Sequence, residues 1–213
     1  MIRRSMEYDY QKDRPTNWVQ GTVIAGPIGS VASLGASELD AFLSMGGFVD
    51  QAEQDMAQSI VDTAVEMVYN YTGYEPTDRS IQVKWDVHPE QVRYFAGVSP
   101  VGGGSQPWIK IPRYPVQSVD SIDVGETTLT TDDYESDLAS NPPRVALIGL
   151  GTGEIVMDLT VGPNGSLDPR FKQAVLCAAA YMYENRGCAF DSVLKKSGAM
   201  AIARALRVAV GGL

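Results

Sequence analysis

The sequence predicts an α+β fold. It is a helical bundle (a long amphipathic helix, a central helix in the C-terminal half and a terminal helix) with an inserted antiparallel β-module. Two changes of hydrophobic period carry this prediction. Up to about residue 75 apolar residues recur at steps of three and four, after Pro76 they alternate with polar ones, and from Asp168 the helical step returns. A third observation is the density of turns between Ile81 and Val161, where short apolar runs are separated by HPE, a glycine run at 102–104, PRYP, NPP and GTG. The chain then divides into an extended N-terminal arm over 1–35, a helical domain over 36–75 and 165–213, and the β-module over 76–164.

In order, the arm opens on a mixed-charge segment and passes into TVIAGPIGSVASLGAS, where Gly, Ser and Ala interrupt every apolar run. Such a segment reads either as a tail or, because Trp18, Val23, Ile24, Ile28, Val31 and Leu34 are apolar, as an arm ordered against something else such as a neighbouring subunit. Ser37 with Asp40 suggests a capping box for a short helix, ELDAFLSM, stopped by Gly46 and Gly47. Asp50 with Glu53 repeats the signal and opens a long helix over Gln51 to Tyr71. Its apolar stripe runs through Ala57, Ile60, Val61, Ala64, Val65, Val68 and Tyr71, its polar side through Gln54, Asp55, Gln58, Asp62 and Glu66, and it ends near Gly73.

Strands are expected in IQVKWDV, VRYFAG, WIKI, VQSVDSIDV, ETTLT, RVALIGL and EIVMDLTV, with hairpin turns at Gly125-Glu126 and at the GLGTG joining the last two. SPVGGGSQP, between Ser99 and Pro107, reads as a projecting loop. The next helix, DPRFKQAVLCAAAYMYENRG, has Asp168 as cap, Pro169 at its first position and Gly187 at its end. Cys177, Ala178, Ala179 and Ala180 leave a full turn without a long side chain, so another helix can approach closely, either inside one core or between subunits. A connection, CAFDSVLKK, leads to a final helix from about Ser197, where Lys195, Lys196, Arg204 and Arg207 make the chain locally basic.

Bulk properties remove several function classes. With 17 basic and 26 acidic residues in 213, the net charge of −9 argues against a global grip on nucleic-acid phosphates. No apolar run approaches the ~20 residues that span a bilayer, and MIRRSMEYDYQKDR lacks the apolar stretch of a signal peptide, so a soluble protein made in the cytosol is expected. Cys177 and Cys188 form no CxxC pair and read as reduced packing residues.

Chemistry-bearing motifs are sparse. The single histidine, His88, sits in the turn VHPEQ, too isolated for a zinc site or a Ser–His–Asp arrangement, and no GxSxG elbow precedes a helix. VGGGSQP and GLGTG lack the Lys-Ser/Thr ending of a phosphate loop and the GxGxxG spacing. Asp132, Asp133, Glu135 and Asp137 could supply a metal site or an acid–base pair, but they lack EF-hand spacing and read better as a solvated acidic loop. Tyr69, Tyr71, Tyr74, Tyr181 and Tyr183 lie near the ends of the two main helices, where a tyrosine suits a core edge or an interface. No catalytic, cofactor or metal residue is assigned.

The order of the pieces is itself informative. An amphipathic helix ending in YTGY is followed by a β-module carrying IKIPRYPVQSVDSIDV with Tyr134 downstream, a strand ending in LTVG, and a helix ending in Tyr183-Glu184-Asn185-Arg186. Over most of residues 38 to 210 this resembles the head–tail connector (adaptor) proteins of tailed bacteriophages and gene transfer agents, apart from a long arm and a large β-module. The resemblance implies a structural, non-enzymatic virion protein without a cofactor. It would form a ring, usually twelve-fold, below the portal protein, and extend the channel through which DNA leaves without sequence-specific binding. A tail-side neck or tail terminator protein would be the other partner, no membrane would be involved, and assembly would take place in the host cytoplasm. Helices would build the annulus, and the segment Ser197 to Leu213 would dock on the portal. The contact residues expected on this reading are Trp18, Tyr71, Ala178, Ala179, Tyr183, Glu184, Arg186, Arg204 and Arg207. Two other readings stand beside it: a different phage neck or tail-completion protein, and, more distantly, a carbohydrate-binding or hydrolytic β-module.

Overall fold

Asp50 starts the long helix. Its carboxylate accepts the Glu53 N–H at 2.8 Å, and the Glu53 carboxylate reaches back to accept the Val49 N–H at 2.9 Å, so two amides with no helical partner are satisfied. In the computed structural model, which describes residues 22–25, 31, 33–85, 108–148, 154–186 and 190–208, this helix (α2) spans Gln51–Thr72. Gly73 ends it at φ 70, a left-handed conformation that a residue without Cβ adopts readily.

The shorter helix α1 (Ala36–Leu43) precedes it and corrects the expected Ser37 cap. Gly35 occupies the N-cap, and the Gln58 side chain of α2 accepts the Ala36 N–H at 3.0 Å. A side chain 22 residues away therefore satisfies the amide, which local spacing could not reveal. Eight residues are too few for a stable isolated helix, and α1 is held by burying Ala36 and Leu39.

The helix α3 (Pro169–Glu184) begins as expected, with the Asp168 carboxylate accepting the Arg170 N–H at 2.8 Å. It packs against α2 and against α5 (Ala199–Ala203), itself continued by a 3-10 turn at Arg204–Leu206. Between α3 and α5 the expected connection is a helix, α4 (Phe190–Lys196). Over Ser192–Lys196 only Val193 is buried, too little to set a readable period in so short a helix. These helices share one hydrophobic cluster, built on Val61, Val68, Phe171, Val175, Ala178 and Leu206 among others.

All strand pairs are antiparallel. The larger sheet has the order β1-β2-β8-β4-β5 and comprises β1 (Thr22–Ile24), β2 (Arg79–Trp85), β8 (Ile155–Val161), β4 (Val116–Val124) and β5 (Thr127–Thr128). The smaller sheet has the order β3-β7-β6, with β3 (Trp108–Lys110), β7 (Arg144–Leu147) and β6 (Tyr134–Asp137). Alternation does what the sequence predicted. Ile81, Val83 and Trp85 on β2 stand opposite Leu159, Met157 and Ile155 on β8, and all six are buried in a second hydrophobic cluster with Ile122, Ile109 and Val145.

Four expectations are corrected here. Residues Thr22–Ile24 of the supposed arm pair with β2 of the same chain, and Val31 and Leu34 are buried in its helical cluster, so this part orders on its own body. The acidic stretch around Tyr134 includes strand β6, which lies at a sheet edge with no side chain fully buried, Glu135 and Ser136 exposed and Tyr134 and Asp137 half-buried, and so lacks apolar alternation. RVALI and EIVMDL belong to different sheets, so they are not a hairpin. The Gly125-Glu126 turn, by contrast, does join β4 to β5, with Val124 opposite Thr127. The last of the four is the helix α4. VRYFAG, SPVGGGSQP, GLGTG, His88, Trp18, Gly187 and Cys188 lie outside the described residues.

Candidate interface surfaces and a buried ionic joint

The helical part and the larger sheet meet where α2 ends. Tyr74 bridges to Tyr114, the Glu75 N–H donates to the Tyr114 carbonyl at 2.7 Å, and the Tyr114 N–H donates to the Gly73 carbonyl at 3.2 Å. Val208 adds a further tie, its N–H donating to the Thr72 carbonyl at 2.7 Å. Gly73 is required at this crossing, since a Cβ there would stand 3.1 Å from the Pro112 carbonyl and 3.4 Å from Val208. Tyr74 also stacks against Phe171, with ring centroids 5.0 Å apart, and its hydroxyl accepts the Asp168 N–H at 3.2 Å.

Inside this joint lies a carboxylate that shows no exposure, Glu75. Arg79 Nε stands 2.7 Å from Glu75 Oε1, and Arg113 Nε 4.0 Å from Oε2. The Arg113 guanidinium covers the Tyr69 ring at 4.6 Å from its centroid, and Arg79 donates to the Tyr69 hydroxyl at 3.2 Å. Burial pushes the Glu75 carboxyl above its ordinary value, and the two cations only partly offset it. Burial likewise raises the Tyr69 hydroxyl, with the Glu75 charge adding to the effect. Two arginines against one carboxylate at a joint can fix the relative placement of helix and sheet.

None of Glu75, Arg79 or Arg113 stood out in the sequence. Glu75 and Arg79 are four apart, but Pro76 lies between them and the helix has already ended, so the usual helical pairing rule does not reach them. Arg113 comes from the PRYP turn. Only the tertiary crossing brings the three together.

The predicted contact residues separate into two groups. Ala178 and Ala179 are completely enclosed by the chain's own helices, each at 0% exposure. Their small size serves the approach of α2 and α5 to α3 inside one core, and they offer no surface to a second subunit. The others are accessible. Tyr183 is half-buried at the end of α3 and donates its hydroxyl to Glu53 at 2.6 Å; Arg186, exposed, lies over the Tyr183 ring at 5.3 Å and 3.9 Å from the same carboxylate. The hydrogen bond from Tyr183 lowers the Glu53 carboxyl, helped by the Val49 N–H, and the same bond raises the Tyr183 hydroxyl. Glu184 is exposed beside them. At the other end of the bundle, Arg207 lies over the half-buried Tyr71 ring at 5.4 Å, and Arg204 is exposed.

Two of the four carboxylates in the acidic stretch of the β-module, Asp133 and Asp137, are engaged within it. Asp137 and Arg144 are cross-strand partners paired at 2.8 Å, and Arg144 also covers the Trp108 ring at 4.7 Å. Asp133 accepts from the Thr130 hydroxyl at 2.7 Å and the Thr130 N–H at 2.8 Å, and these bonds lower its carboxyl. Among the described residues no group of three or more potential ligands is placed to hold a metal ion, and no helix is long and apolar enough to cross a membrane.

No family model matches the sequence, and no curated protein does. Solved structures do share its fold. A chain from the virion of a native gene transfer agent superposes with a TM-score of 0.61 at 21% identity, covering 88% of this chain and 96% of its own. A chain from the neck of an empty gene transfer agent particle, computed with C6 symmetry, superposes at 0.58 and 21% identity, covering 90% of this chain and 97% of its own. A third, from the native particle's neck computed with C12 symmetry, does so at 0.53 and 19% identity, covering 89% and 97%. The chain therefore has, over nearly its whole length, the fold found in the neck of gene transfer agent particles, in line with the fold that the sequence resemblance implied.

Proposed function

We propose that this chain is a head–tail connector (adaptor). It forms a twelve-fold ring below the portal protein, extends the DNA exit channel and joins the capsid to a tail-side neck or terminator protein. The observation that carries this reading is the near end-to-end match, about 96–97% of each neighbour's length, to chains of particle necks computed with six- and twelve-fold symmetry. The role is structural, and the virion neck is the location it implies. The engagement of Asp133 with Thr130 and of Asp137 with Arg144, and the burial of Glu75, favour it over the glycan-hydrolysing alternative.

On this reading the helices build the annulus, and Tyr71, Tyr183, Glu184, Arg186, Arg204 and Arg207 supply contacts at its rim. A net charge of −9 suits a channel wall that lets DNA slide instead of holding it. The test is solution mass and negative-stain imaging of the purified chain with and without its portal protein. A closed ring, alone or on the portal, is the expected result. A stable monomer that ignores the portal and cleaves a glycan would overturn the proposal.

A further inference from the structure

Between Arg14 and Arg79 the chain contains no lysine or arginine but nine carboxylates. Three of these, Asp55, Asp62 and Glu66, are exposed on α2. Their spacings of seven and four place them on one line of a helix with 3.6 residues per turn, opposite the buried Ala57, Val61, Ala64 and Val68. Asp55 and Asp62 accept hydrogen bonds from the neutral Gln51 and Gln58 side chains at 2.8 and 2.9 Å. Among the described residues none of the three has a cation within ion-pair distance.

The balance inverts at the other end. From Ser192 to Leu213 there is no carboxylate, and four cations stand there: Lys195, Lys196, Arg204 and Arg207. All four are exposed. Arg207 lies over Tyr71, and none of the four has an anion within ion-pair distance among the described residues.

One chain thus carries an acidic stripe on α2 and, on a different segment, a run of exposed cations, neither offset by an ion pair among the described residues. A head-to-tail ring needs two unlike faces that complement each other, and charge complementarity selects partner and register. DNA meeting the basic face would also meet a chain of net charge −9, whereas a second copy supplies the acidic stripe in fixed proportion. We propose that the exposed basic segment of one copy, Lys195 and Lys196 at the end of α4 with Arg204 in the 3-10 turn after α5, docks on the α2 stripe of Asp55, Asp62 and Glu66 of the next copy. This contact rests on the ring reading above.

The test uses two charge-reversed full-length chains. The first carries Lys195→Glu, Lys196→Glu and Arg204→Glu, with Arg207 left on Tyr71. The second carries Asp55→Lys, Asp62→Lys and Glu66→Lys. All six positions are on the surface, and unchanged circular dichroism and melting temperature check folding. Self-association of each variant, read by sedimentation velocity, should fall at least about tenfold below wild type, because like charges face each other. An equimolar mixture should regain association, because the altered acidic face of the first variant then meets the altered basic stripe of the second, and the unaltered basic face of the second meets the unaltered acidic stripe of the first. Wild-type association should weaken as salt rises. A basic-face variant that associates like wild type, or a mixture that stays dissociated, overturns the contact. So does a basic-face variant that keeps its self-association and loses only portal binding. Imaging separates the two levels: closed rings from both variants alone would sink the contact and leave the connector reading. A mixture that associates without closing a ring on the portal would do the opposite.

Discussion

Removing the Glu75 carboxylate should weaken the whole fold, since it is the shared counterion of two arginines at the joint between helices and sheet. Glu75→Ala leaves Arg79 and Arg113 facing a small buried void, each side chain only 17% and 19% exposed. Breaking a buried pair by removing one partner costs about 3–5 kcal/mol; here both guanidinium groups keep some contact with water and Arg79 keeps its hydrogen bond to Tyr69, which places the loss near the lower end, at about 3 kcal/mol. In a chain of this size each kcal/mol moves the midpoint by about 2–4 °C, so thermal unfolding followed by circular dichroism should show a fall of about 6–12 °C. Glu75→Gln separates charge from shape. Because burial raises the folded-state carboxyl above 4.5, the folded chain keeps a proton that the unfolded chain gives up as pH rises past that value. Wild-type stability should therefore decline relative to Glu75→Gln as pH rises through the window above 4.5, and become parallel to it beyond the folded value. A loss below about 1 kcal/mol for Glu75→Ala would refute the ionic joint as an organising contact. So would a wild-type curve that gains on Glu75→Gln with rising pH.

Gly162→Ala should destabilise by about 3 kcal/mol or more in urea unfolding, because φ is 125 there and a Cβ would stand 2.6 Å from both Asp78 Cα and the Thr77 carbonyl. Ala179→Arg should prevent folding of the single chain: its site has no exposure, and a buried unpaired charge costs several kcal/mol. A soluble, cooperatively melting monomer would count against the packing of α3 described above. Tyr183→Phe removes the hydrogen bond that holds the Glu53 carboxyl low, so its carboxyl carbon should titrate closer to 4.5 by NMR; the wild-type bond stabilises at pH above 4.5 and is lost as pH falls through the lowered folded value. Deleting residues 1–30 should lower the melting temperature more than deleting 1–21, since only the longer deletion removes strand β1.

The elements legible in the sequence are those whose own residues supply their signal. Asp50 and Glu53 cap α2, Asp168 and Pro169 open α3, and VQSVDSIDV forms β4 with the predicted bounds. The features not legible there draw on partners elsewhere. Helix α1, expected from ELDAFLSM, takes its N-terminal acceptor from Gln58; strand β1 exists because β2 offers an edge; and β6 is held by β7, the Asp137–Arg144 pair and the packing of the single aromatic Tyr134. The Glu75 joint is illegible for the same reason. A glutamate after YTGY reads as a surface residue until the chain returns through Arg113, and nothing local says that it will.

The same distinction bears on assembly. The smooth turn around Ala178 drew attention as a contact surface because small residues permit close approach, but close approach is equally what a three-layered crossing of α2, α3 and α5 inside one chain requires, and that use leaves none of it exposed. Apolar patterning is consumed by folding first; what remains for assembly is whatever folding does not neutralise. In this chain much of that remainder is charge, although Ile24, Phe42, Met45, Val49 and Ile148 also stay exposed. A 64-residue stretch without a single cation and a C-terminal stretch without an anion are each costly for an isolated molecule through self-repulsion, and both faces stay exposed after the core is complete. A monomer gains nothing from keeping them apart on separate helices, whereas a head-to-tail assembly of identical copies gains a complementary contact at every junction.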